Sequence, residues 1–184
     1  MTEVRPLTSL TLEELHQIAS GYVSEQKYEV AHSETEDEVT FMLSPAQLEQ
    51  PYIKKYSFDG ETLQAYEKLL DNGFCFGIYE DGTLAGLAIS EVHTWNNSLQ
   101  LHDFHIAEEY RGRGFGRQLM ERVVSAARDA GLRIVVCETQ NKNAPAIKFY
   151  KRLGFSLEGI DLTHYRNTDY PDGEIAVFMK LHLA

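Results

Sequence analysis

A mixed α/β fold, with a mostly antiparallel central sheet flanked by helices, is predicted by three features of the sequence. Between Phe74 and Ile106, three apolar runs are separated by the turn signals Asp81-Gly82 and Asn96-Asn97-Ser98, the pattern of consecutive hairpin strands. From Phe115 to Gly154 the period changes to helix, strand, helix. Finally, Ile175, Val177, Met179, Leu181 and Leu183 alternate with period two and end the chain as a strand. The 184 residues suffice for one core, so a single domain spanning 1–184 is expected.

The elements follow in order. Thr11-Leu12-Glu13-Glu14 forms a capping box, because Thr11 can accept from the backbone at Glu14 while Glu14 reaches back. Leu12, Leu15 and Ile18 or Ala19 then share a helical face, and Gly21 is the expected stop. Tyr28 to Ser33 and Val39 to Leu43 read as strands around Glu34-Thr35-Glu36-Asp37-Glu38, a solvated acidic turn. Asp59-Gly60 opens a second helix with Leu63, Tyr66 and Leu70 on one side. Strands are expected over 74–79, 84–92 and 99–106. Phe115, Leu119, Val123 and Ala126 or Ala127 mark a helix that ends near Gly131. Ile134 to Cys137 is a short apolar strand of the kind buried on both faces in a parallel pairing. Ala146, Phe149, Tyr150 and Leu153 define the last helix, closed by Gly154, and Phe155 to Leu162 returns as a strand.

Composition narrows the function. Seventeen basic residues against twenty-eight acidic ones give a formal charge of −11. That balance argues against a nucleic acid or an anionic membrane as partner and suits a cationic small substrate. Cys75 and Cys137 each lie inside an apolar run and form no Cys-x-x-Cys pair, so zinc ribbons and redox motifs are excluded. Two buried thiols, no signal-peptide pattern and no membrane-length apolar run make a cytoplasmic location the expectation. Nothing fixes the oligomeric state, and a homodimer is compatible with the sequence.

Arg111-Gly112-Arg113-Gly114-Phe115-Gly116-Arg117 lies between a strand and a helix. Its alternating glycines allow consecutive backbone N–H groups to turn inward on phosphate oxygens, and the following helix adds its free N–H groups and positive dipole end. The spacing is not the Gly-x-Gly-x-x-Gly of a dinucleotide fingerprint, and Arg117-Gln118 is not the Lys-Ser or Lys-Thr of a P-loop.

The spacing Arg111-x-x-Gly114-x-Gly116 resembles the pyrophosphate loop of the Gcn5-related N-acetyltransferase (GNAT) family. Glu138-Thr139-Gln140, Asn143, Ala146, Phe149-Tyr150 and Gly154-Phe155 resemble that family's next strand and helix, so the likeness runs from Phe74 to Ala184. Pro51 to Tyr56, Glu138 to Gln140, Gly159-Ile160-Asp161 and Tyr165-Arg166-Asn167 are similar to streptothricin acetyltransferases and extend it over most of the chain. The resemblance implies the acyl-CoA N-acyltransferase fold and direct transfer of acetyl from acetyl-CoA, as co-substrate, to a primary amine. The named candidate acceptor is a streptothricin-like antibiotic, which would make the activity one of antibiotic resistance.

The resemblance also implies site residues. Phe104, His105, Ile106, Arg111, Gly112, Arg113, Gly114, Phe115, Gly116 and Arg117 would hold the coenzyme, with the Ile106 backbone N–H as oxyanion donor. Asn143 would contact the pantetheine arm, a role compatible with capping its own helix. Tyr150 would lie near the sulfur and protonate the departing thiolate. An alkylammonium must lose a proton before it attacks. Where streptothricin-type enzymes carry Glu-Asp, this chain has His102-Asp103. Asp103 is the expected catalytic carboxylate, with His102 and Glu138 as other candidates for the base. A metal reading of His102, Asp103 and His105 is disfavoured, because His102 and His105 are three apart on a strand and no fourth ligand is evident. No metal is expected. Two further readings are open: a protein N-terminal or lysine acetyltransferase, and a non-catalytic acetyl-CoA sensor.

Overall fold

The computed structural model describes residues 1–183, so the last residue of the expected 1–184 domain lies outside the described residues. The chain runs β1 (Thr2–Pro6), α1 (Leu12–Ile18), β2 (Tyr22–Glu34), β3 (Val39–Lys54), α2 (Gly60–Leu70), β4 (Phe76–Glu80), β5 (Thr83–His93), β6 (Ser98–Ile106), α3 (Phe115–Asp129), β7 (Ile134–Gln140), α4 (Ala144–Arg152), β8 (Ser156–Asp161) and β9 (Ala176–His182). This is the mixed α/β, mostly antiparallel arrangement that the sequence predicts. The chain forms two compact units. One holds Met1–Gly21, Lys55–Cys137 and the residues from Leu181, and the other holds Tyr22–Lys54 and Glu138–Lys180.

In the first unit the strand order is β1-β4-β5-β6-β7. Pairing is antiparallel up to β6 and parallel between β6 and β7, from Ser98↔Ile134 to Leu101↔Cys137. The capping box at Thr11 forms, and Asp59 caps α2 by accepting from the Thr62 N–H. Leu15 and Ile18 of α1 and Leu70 of α2 join Leu87 and Ile89 of β5 in one apolar cluster. On α3, Leu119, Met120, Val123 and Ala127 are buried. β5 is buried continuously from Ala85 to Ser90, the signature of a strand covered on both faces. Both central residues of the β4–β5 turn, Asp81 and Gly82, have positive φ, as a tight hairpin requires.

The β5–β6 ladder carries one irregularity. Ile89 faces Asp103 and Ser90 faces Leu101, which leaves His102 as an extra, bulged residue.

In the second unit β2 and β3 form a two-stranded antiparallel ribbon, and β9 lies beside β8 in antiparallel register. The ribbon strands run well past the expected 28–33 and 39–43, and the acidic turn between them is exposed. Asn143 caps α4 by accepting from the Ala146 N–H at 3.2 Å. Asn141 is buried and fully used. Its side chain donates to the Tyr28 carbonyl at 2.9 Å and accepts from the Ile175 N–H at 2.9 Å.

The N-terminal strand β1 has no counterpart in the sequence reading. It is five residues of mixed polarity that pair with β4 from Thr2↔Glu80 to Pro6↔Phe76, with Val4 its one large apolar side chain. Cys75 and Cys137 are both buried and lie outside any disulfide, as their apolar contexts predict. Among the described residues no helix is long and apolar enough to cross a membrane.

Candidate active site

The glycine-rich loop leaves β6 through a short 3₁₀ turn, Glu108–Tyr110, and enters α3. Gly112 and Gly114 have φ of 76° and 85°, and no atom lies within 4 Å of where a Cβ would stand at either position. Glycine is needed there for backbone conformation and not for space. Gly114 is the N-cap of α3, no side chain caps that end, and the first turn holds no acidic residue. The first N–H groups of a fifteen-residue helix, with its positive dipole end, therefore have no side-chain cap and suit an anion.

The loop arginines have partners inside the fold. Arg111 donates from Nε to the Ile106 carbonyl and from its guanidinium to the Gly21 carbonyl, both at 2.9 Å. It ties the loop to the end of β6. Arg113 pairs with Glu80 at 2.5 Å, and its guanidinium lies 4.9 Å from the centre of the buried Phe115 ring. Arg117 lies 3.8 Å from Glu121 on the exposed face of α3.

Upstream of the loop, Phe104, His105 and Ile106 pair with Ala88, Leu87 and Gly86. Gly86 is required here by close approach. A Cβ on it would stand 2.7 Å from the His105 carbonyl oxygen and 2.4 Å from the Ile106 Cδ1.

Asp103 is the centre of a hydrogen-bonded group. One carboxylate oxygen lies 2.8 Å from His105 Nε2, and the other accepts from the Tyr66 hydroxyl of α2. The side chains of Asp103 and His105 are 19% and 15% exposed. Burial pushes the Tyr66 phenol far above its ordinary value, and the neighbouring Asp103 charge and hydrogen bond add to the shift. The Tyr56 ring meets the His105 ring edge-on at 5.3 Å, with Phe58 6.5 Å away.

His102 is engaged elsewhere, with its Nε2 3.2 Å from Glu91 Oε2. The ligating atoms of Glu91, His93 and His102 lie within 4.8 Å of one another, so among the described residues these three form a group that could hold a metal ion. The bulge thus separates His102 from the Asp103–His105 pair, and the three do not form one ligand set.

A second polar cluster lies in the second unit. Tyr165 donates to Glu138 and accepts from the Gln140 amide at 3.1 Å, while Lys54 pairs with Glu174. Burial raises the Glu138 carboxyl above its ordinary value, opposed by the Tyr165 hydrogen bond and the nearby His164 and Lys54 charges. Tyr52 is pushed up to about 12, by burial first and by the Glu174 charge second. Among the described residues, Gln140 Oε1 is buried with no hydrogen-bond partner. In the same unit Tyr150 is buried on α4, with Phe149 and Phe155 rings each 5.4 Å from its own.

Residues 34–155, which include Asp103, the loop, Asn143 and Tyr150, match the acetyltransferase (GNAT) family. The chain belongs to the GNAT family. It is an N-acetyltransferase, and GNAT acetyltransferases use acetyl-CoA. Over 144 residues it is 33% identical to streptothricin acetyltransferase of Streptomyces lavendulae, covering 77% of this chain and 76% of that one. It is 30% identical over 128 residues to the Escherichia coli streptothricin acetyltransferase, covering 70% and 69%. Among solved structures it is similar to nourseothricin acetyltransferase, with a TM-score of 0.79, 30% identity and coverage of 100% and 99%. It also shares its fold, at a TM-score of 0.78 and 20% identity, with a Bacillus anthracis protein solved in complex with acetyl coenzyme A, over 100% of this chain and 98% of that one.

Two features of this GNAT chain were not legible from its residues. Tyr66 reads in the sequence as part of an apolar helix stripe, and 37 positions separate it from the Asp103 it contacts. His105, taken for a coenzyme contact, turns its ring to Asp103; here the i, i+2 spacing on a strand was the available signal.

Proposed function

We propose that the chain, acting over 1–184 as one catalytic domain, transfers acetyl from acetyl-CoA to a primary amine of a small cationic acceptor of the streptothricin type. The observation that carries this reading is the similarity to streptothricin acetyltransferases over more than two thirds of both chains. The uncapped N-terminus of α3, with Gly112, Gly114 and Gly116, suits the coenzyme pyrophosphate. Arg111, Arg113, Phe115 and Arg117 hold that loop in shape around it. Phe104, His105 and Ile106 line the acetyl end through their backbone, and the Ile106 N–H serves as oxyanion donor. Asn143 contacts the pantetheine arm. Asp103 supplies the carboxylate charge that favours deprotonation of the acceptor ammonium, and Tyr150 protonates the thiolate as the C–S bond breaks. The carboxylates and tyrosines around Glu138 and Glu174 have the chemistry of a cation binder, which supports a cationic acceptor.

The test is acceptor-dependent thiol release from acetyl-CoA with streptothricin, polyamines, aminoglycosides and lysine or N-terminal alanine peptides. Release with streptothricin well above the rest is the expected result. Release confined to peptides would assign a protein acetyltransferase, and tight acetyl-CoA binding with no release would leave a sensor.

A further inference from the structure

We infer that His105 is the group that takes the proton from the acceptor ammonium, with Asp103 and Tyr66 as the residues that position it. The inference rests on the acetyl-transfer reading above and assigns the base within it. It begins from the hydrogen bond between His105 Nε2 and the Asp103 carboxylate at 2.8 Å. A carboxylate only accepts, so a proton sits on Nε2, and whenever the ring is neutral its lone pair is on Nδ1. Three contacts keep the pair in this state. Tyr66 donates to the second Asp103 oxygen, which fixes the carboxylate plane. The raised Tyr66 phenol stays protonated and remains a donor across the working pH range. The Tyr56 and Phe58 rings stand edge-to-face with the imidazole, at 5.3 and 6.5 Å between centroids, and restrict its rotation. Phe58 is itself held, since its carbonyl lies 3.0 Å from His16 Nε2 of α1.

The titratable groups facing the ring are Asp103 on its own strand, Tyr56 from the segment before α2, and Tyr66 of α2 through Asp103. His105 also adjoins Ile106, the proposed oxyanion donor, so base and donor come from consecutive residues. Asp103 alone is less suited to the task. Both of its oxygens are engaged by donors, and an unperturbed carboxyl lies far below an ammonium on the pKa scale, whereas an imidazole lies much nearer.

The step balances as follows. His105 Nδ1 takes one proton from the ammonium, and the free amine forms the C–N bond at the acetyl carbonyl. As the C–S bond breaks, the thiolate takes a proton from Tyr150, and the second proton lost by the nitrogen passes through water to the Tyr150 phenolate. The imidazolium returns its proton to water. One proton is released per turnover.

Two measurements decide the matter. In nitrogen NMR of the unliganded protein, the His105 ring is expected as the Nε2–H tautomer, and an Nδ1–H tautomer overturns the inference whatever the acceptor proves to be. In kinetics, His105→Gln is expected to lower kcat about 100-fold or more, with acetyl-CoA affinity by calorimetry changed less than about threefold. The low-pH limb of kcat/KM should vanish with it and survive in Asp103→Asn at a reduced plateau. If the limb instead vanishes in Asp103→Asn and persists in His105→Gln, Asp103 is itself the base. If acetyl-CoA binding falls in step with kcat, His105 is a coenzyme contact. Either result overturns the assignment. Failure of the parent enzyme to acetylate streptothricin would count against the proposed acceptor and leave the tautomer result standing.

Discussion

Gly86→Ala tests the architecture of the site without replacing any polar side chain. The added Cβ would stand 2.7 Å from the His105 carbonyl oxygen, whereas ordinary contact begins at 3.4 Å. The Ile106 Cδ1, at 2.4 Å, is the end of a flexible side chain and can rotate away. The carbonyl belongs to a strand paired in register with β5, so β6 itself must move by about 0.7 Å. Overpacking of this kind costs about 1–3 kcal/mol, and for a chain of this length each kcal/mol lowers Tm by about 2–4 °C. Since a 1 Å misplacement costs roughly 100-fold in rate, a 0.7 Å shift at Ile106 and His105 is expected to lower kcat about 25-fold. Thermal unfolding reads the first effect and thiol release the second. Gly77→Ala is the control. Its Cβ would meet only the ends of the Leu84 and Tyr79 side chains, at 2.7 and 2.8 Å, so Tm falls while kcat stays within about threefold. A Gly86→Ala enzyme with lowered Tm and parental kcat would refute the placement of the acetyl end at Ile106.

Other substitutions probe separate parts of the site. Tyr150→Phe is expected to lower kcat by about 100-fold or more while acetyl-CoA affinity changes little; small equal losses in both would remove its acid role. Asp103→Asn is expected to weaken turnover more than His102→Ala does, since His102 pairs with Glu91 outside the Asp103 group, and the reverse ranking would move the chemistry to His102. Glu138 reads out as pH-dependent stability. Its carboxyl is raised in the fold, so its contribution is present at low pH and is lost as pH climbs from the ordinary carboxylate range through the raised value. Glu138→Gln should therefore flatten the decline in Tm as pH climbs above the ordinary carboxylate range, and an unchanged slope would show that burial does not perturb this group.

What the sequence made legible follows from which interactions are local. The capping box at Thr11, the Asp59 cap, the Asp81-Gly82 hairpin and the Asn143 cap are each set by residues within four positions, and all form as read. The ribbon strands were legible only in part, because β3 has no buried residue and the alternation that marks a half-buried strand is lost along it. β1 is a strand because β4 offers it an edge, a fact that five residues of mixed polarity do not carry. The turn at Gly112 and Gly114 was readable because glycine spacing is itself the physical requirement for its positive φ angles. The Asp103 group was not, because Tyr66 reaches it from another element.

The arginines show how local pattern and tertiary use diverge. In the sequence, Arg111, Arg113 and Arg117 look like a patch of positive field in a chain of net charge −11. In the fold, Arg111 is committed to two backbone carbonyls, and Arg113 and Arg117 to Glu80 and Glu121. Paired charges project little field, so the attraction for an anion falls to the fixed dipoles of the α3 N-terminus and the loop backbone. These differ from side-chain charges in a measurable way. Exposed ion pairs weaken with salt, whereas N–H groups aimed at a bound phosphate are screened much less. Acetyl-CoA affinity that changes little with added salt, beside a cationic acceptor whose binding weakens under the same conditions, is the pattern this division of labour requires.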